Sequence, residues 1–75
     1  MSFPSDAIRQ SIHDWIGCSA IAQVEIEHAW ERWNNVRDRQ FLYSLSTWAS
    51  KLADCAEQVA QQSAEFAEAL SPSAN

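Results

Sequence analysis

The chain has 75 residues, a formal net charge of −5, one glycine and two prolines. A chain this short holds one domain, whose core supplies only ~3–5 kcal/mol, so folds of this size add disulfides, a metal or self-association. The acidic balance excludes the broad basic face of a phosphate-tracking protein, and no apolar run reaches the ~18 residues of a membrane span.

Alanine, glutamine, glutamate, serine and leucine dominate, which is helical composition. The opening MSFPSDAIRQ lacks a basic-then-apolar signal. A cytoplasmic protein is therefore expected, with Cys18 and Cys55 as reduced thiols.

The first predicted element runs from about residue 5 to 33. Ile8, Ile12, Trp15, Ser19, Ala22, Ile26, Ala29 and Trp33 follow one another in alternating steps of four and three, the seam of a helix packed along its length. Ser2 or Ser5 is expected to cap it, with Pro4 and Asp6 suited to its first turn. Continued past Trp33, the stripe would pass through Val36 and then turn polar at Gln40.

A turn is expected at 34–35. Asn34 can take the left-handed conformation that ends a helix, and Asn35 can cap the next one with Asp38 three residues on. The second predicted helix spans about 36–70, with Leu42, Leu45, Ala49, Leu52, Ala56, Val59, Ser63, Phe66 and Leu70 as its seam. Ser71 before Pro72 closes it, leaving a frayed tail at 71–75. Folding back at the asparagines sets Ile12 against Val59, Trp15 against Ala56, Ser19 against Leu52 and Ile26 against Leu45. Two of these four layers, Trp15 with Ala56 and Ser19 with Leu52, match a large side chain with a small one, as close packing requires. The expected fold class is all-α: an antiparallel two-helix hairpin in a single domain.

More apolar residues are present than one seam can use. Ile16, Ile21, Val24 and Trp30 lie off it on the first helix, and Phe41, Trp48 and Cys55 form a heptad-spaced stripe beside it on the second. A hairpin has too little interior for four tryptophans, and exposed aromatic stripes mark interfaces. Ile16, Trp30, Trp33, Phe41 and Trp48 are therefore the expected protein-interface residues. Dimerisation into a four-helix bundle is the expected use, since twofold dimers are the commonest oligomers.

The candidates for chemistry are sparse. Glu25 and His28 have the Glu-x-x-His spacing of metal-binding bundles, but the level expected to face them, Tyr43 to Ser46, carries no carboxylate. They read as a solvated acidic face. His13 beside Asp14 reads as surface, because a general base needs a nucleophile or substrate within reach. Cys18 and Cys55 stand at nearly one level of the hairpin, where a disulfide is geometrically feasible, yet a cytoplasmic setting favours free thiols. A single glycine leaves no phosphate-cradling loop. The chain is expected to be no enzyme, with no cofactor, metal or small-molecule substrate.

Three of the five basic residues, Arg32, Arg37 and Arg39, cluster at the expected tip, while Asp54, Glu57, Glu65 and Glu68 make the body acidic. This tip patch suits an acidic groove, or RNA in a dimeric hairpin, although cations also simply suit a helix C-terminus. Nucleic acid is the weaker of these expectations.

Trp33-Asn34-Asn35 at the expected turn, with Phe41 and Trp48 after it, resembles the WXG100 family of secreted helical hairpins, which carry Trp-x-Gly at the turn. Asparagine stands here where that family has glycine. The resemblance covers about a fifth of the chain and implies a secreted hairpin as an alternative function. The primary expectation is a protein-binding module: an adaptor, inhibitor or anti-activator of the kind phages and plasmids encode. Its expected partners are itself and another protein; a purely structural bundle is the remaining alternative.

Overall fold

The computed structural model describes residues 4–70. They form two helices, α1 (Pro4–Val36) and α2 (Arg39–Leu70), which pack against each other as a hairpin. The Cα extents are 58 × 25 × 12 Å, as expected for helices of 33 and 32 residues lying side by side. An unbroken helix of that chain length would reach ~100 Å. Ser5 is the second residue of α1, and its side chain lies outside what is described. Ser2 and the 71–75 tail lie outside the described residues.

The turn falls at Arg37 and Asp38, later than the asparagines suggest. Asn34 and Asn35 lie in the last turn of α1, where the Asn34 side-chain amide donates back to the Trp30 carbonyl at 3.0 Å. Arg37 takes the left-handed conformation, with φ 63°, and its N–H donates to the Trp33 carbonyl at 2.8 Å. That single bond is the signature of the left-handed helix stop. Its usual side-chain contact is also present, since the Arg37 guanidinium lies 5.4 Å from the centre of the Trp33 ring. Such a cation–π contact contributes ~0.5–1 kcal/mol at an exposed site, offsetting much of the ~1–2 kcal/mol that a side chain costs in this conformation.

Asp38 then caps α2. Its carboxylate accepts from the Gln40 N–H at 3.0 Å, and its carbonyl accepts from Phe41 at 3.0 Å. Asp38→Ala is expected to cost about 0.5–2 kcal/mol, whereas Asn34→Ala and Asn35→Ala, inside a helix, should leave stability level or raise it by a few tenths. Urea denaturation of the three variants tests where the turn is specified.

Moving the turn changes which residues of α2 face α1. Two heptad series overlap on α2 and share Leu45, Leu52, Val59 and Phe66. The series expected from sequence completes itself with Leu42, Ala49, Ala56 and Ser63. In the structure Phe41, Trp48, Cys55 and Gln62 complete it instead: Cys55 is fully buried and the other three half-buried, while Ala49, Ala56 and Ser63 are exposed. Phe41, Trp48 and Cys55 are thus the seam and not a stripe beside it. The physical reason is area, because turning a tryptophan and a phenylalanine inward removes far more apolar surface from water than alanines would. The expected pairing of Trp15 with Ala56 is lost accordingly. Counting equally from the turn, Ala29 stands level with Leu45 and Ser46, and Ala22 with Leu52 and Ala53.

The α1 seam is as expected, half-buried from Ile8 to Trp33 and tightest at Ala22 and Ala29. Ser19 sits on it and satisfies its hydroxyl within the helix, donating to the Trp15 carbonyl at 3.0 Å. Gln62 is less well served. Its amide nitrogen donates to the Gln58 side chain at 3.3 Å, but its Oε1 is buried without a donor. An unpaired buried acceptor costs roughly 1–3 kcal/mol. Gln62→Leu is therefore expected to stabilise the hairpin by about 1 kcal/mol, read as a raised urea midpoint at unchanged m-value.

Candidate protein-interaction surface

The described residues fully bury only small side chains: Ala22 at 0 %, Ala29 at 4 % and Cys55 at 0 % exposure. Around this thin core Ile16, Trp30, Ile21 and Val24 of α1 are 52 %, 51 %, 60 % and 47 % exposed. Trp33 is half-buried at the end of the seam. Of the five residues expected at an interface, Ile16 and Trp30 thus stand open, while Trp33, Phe41 and Trp48 are turned partly into the hairpin.

Helical geometry sorts the exposed residues into sides. At ~100° per residue, Glu25, Arg32 and Ser44 fall on one flank of their seams. Glu25, His28, Ala29 and Arg32 of α1 border a groove with Phe41, Ser44 and Trp48 of α2, so those two flanks share one side of the hairpin. The opposite flanks share the other side: Ile16, Ala20, Gln23 and Trp30 of α1 beside Ala49, Ala53, Ala56 and Ala60 of α2. All six charged residues of α2 (Arg39, Lys51, Asp54, Glu57, Glu65 and Glu68) crowd into ~120° of its circumference, away from both the seam and this alanine face. Val24 lies on the side of α1 opposite its seam, and Ile21 lies between it and the Glu25 flank, at the angle of His28 and Arg32; both neighbour Gly17, where an added Cβ would meet nothing within 4 Å.

The remaining expected sites are also placed. The groove by Glu25 and His28 holds about 90 Å³, well below the ~300 Å³ of a small-molecule pocket. A larger recess of about 630 Å³ lies open at the far end, bordered by Asp6, Arg9, Gln10 and His13 of α1. Among the described residues no three His, Cys, Asp or Glu side chains gather as a metal would need. Cys18 and Cys55 are both free, the first exposed and the second buried. Arg32, Arg37 and Arg39 are all exposed near the turn, with Arg37 engaged on Trp33. Trp33-Asn34-Asn35, on which the likeness to WXG100 hairpins rests, belongs to α1 and not to the turn. No described helix is long and apolar enough to cross a membrane. No family model matches the chain, and no curated protein or solved structure matches it significantly.

Sequence reasoning misses the alanine face because it places Ala49, Ala56 and Ser63 in the core. The signal was present in the spacing: between Leu42 and Leu70, every position at alternating steps of four and three is alanine or serine.

Proposed function

We propose that the chain is a small non-catalytic protein-binding module, an adaptor or inhibitor that works as a dimer of hairpins in a four-helix bundle. The observation that carries this reading is the core: among the described residues no side chain larger than cysteine is fully buried, although the chain has four tryptophans. Two helices with one thin shared seam bury little apolar area against the entropy of ordering, and a second hairpin would supply further cover. Ile21 and Val24, exposed and away from the alanine face of α2, stay open in such a bundle. They are where a further protein would dock, with Gly17 allowing its backbone close approach. The setting we propose is a cytoplasm, in keeping with two unpaired cysteines.

Light scattering and sedimentation at micromolar concentration test the reading. The expected mass is twice the 8.5 kDa of the chain, with helicity that falls on dilution as the bundle dissociates. A fully helical monomer at all concentrations would remove it.

A further inference from the structure

We propose that the alanine face of α2 is the contact between the two copies, laid antiparallel on the same face of its mate about a twofold axis near Ala56; this rests on the self-association proposed above. The face is long enough. From Leu42 to Leu70 it runs ~42 Å, and with the adjoining flank of α1 it covers much of the 25 Å width. That amounts to roughly 800 Å² per copy, the area a stable interface needs. Its position is equally telling, since it is exposed except at Leu42 and free of every charge on α2.

Three features make a second copy of this chain the fitting occupant. The first is shape: backbones approach closely only where both partners present small side chains, and an identical alanine seam is such a partner. Its two leucines end the seam equally far from Ala56, so Leu42 of one copy meets Leu70 of the other. The second is the flank of α1, where the same axis sets Ile16 of one copy over Ala20 of the other, large against small. The third is charge. Arg9 and Glu27 are the charged side chains that point most directly across this face, both exposed, and they lie about equally far from the axis on opposite sides. Twofold symmetry therefore brings each Glu27 to the Arg9 of its mate, forming two ion pairs where a differently placed partner would leave four charges uncovered. The acidic residues of α2 stay on the outer side, which keeps the net charge of −5 from opposing the contact.

Sedimentation of charge and size variants decides the matter. Ala56→Arg is expected to weaken the dimer at least a hundredfold. Ala56→Leu, which holds the helices apart, should weaken it about tenfold, whereas a merely sticky patch would gain from the larger side chain. Arg9→Glu and Glu27→Arg should each weaken association, and the double exchange should restore it to near the parent value. Val24→Arg, on the outward side, should leave the dimer intact. Circular dichroism above the dissociation constant confirms that each variant folds, and the charge exchange keeps the test open if both Ala56 variants unfold. A parent chain that is monomeric overturns the self-association reading and this contact together. A dimeric parent that tolerates Ala56→Arg, or a double exchange that fails to rescue, overturns the contact alone.

Discussion

Ala22→Glu is expected to unfold the hairpin. Ala22 is 0 % exposed at the centre of α1, so the new carboxylate would be taken out of water with no partner at hand. An unpaired buried charge costs several kcal/mol even after relaxation, which equals or exceeds the ~3–5 kcal/mol that a core of this size provides. Loss of the helical circular dichroism signal at 25 °C is the expected readout. Val24→Glu, exposed on the outer side of the same helix, should stay within about 0.5 kcal/mol of the parent. Retained helicity in Ala22→Glu would mean that α1 does not present this seam to α2.

Trp48→Ala is the second large effect, and it tests the register. Trp48 faces α1 and borders the groove with Glu25, Ala29 and Arg32, half-buried where sequence alone placed a partner contact. Complete burial of an aromatic makes its loss worth ~3–5 kcal/mol, so a half-buried tryptophan should cost about 2–3 kcal/mol. The urea midpoint should fall and the helices melt early, while association per folded molecule changes less. Full stability with broken association would return Trp48 to the outside and restore the other heptad series.

How far the sequence could be read follows from these two residues. The hairpin itself was legible: two long stretches carry four-three spacing, and nearly every glycine- or proline-type breaker is missing between Pro4 and Pro72. The α1 seam was legible for the same reason, because only one series of apolar residues exists there. On α2 two series share four of their members, so spacing could not choose between them. The choice depends on which side chains gain most by leaving water, and that requires both helices at once. The turn was hidden differently. Asparagine is the commonest non-glycine residue in the left-handed conformation, and two of them stood ready. Yet the residue that adopts it is an arginine, held by a ring four positions earlier. Asp38, at the top of the capping preferences, was the better signal. The face of α2 opposite its charges was legible in composition and misassigned in position, since small residues serve a tight core and a tight interface equally well.

The conformation of Arg37 has a consequence for the whole length of the molecule. A φ of 63° at this residue, against about −63° in a helix, with a non-helical Asp38 after it, separates a folded hairpin from a straight rod. The hinge has no glycine to make the bend easy and no proline to enforce it. It closes because a guanidinium rests on an indole and a carboxylate holds the next helix by the Gln40 amide. A chain opened there would offer two half-seams at opposite ends, each able to take the complementary half of another opened chain, exchanging arms within the same four-helix architecture. Three neighbouring side chains, Trp33, Arg37 and Asp38, thus act as the latch that keeps each chain folded upon itself.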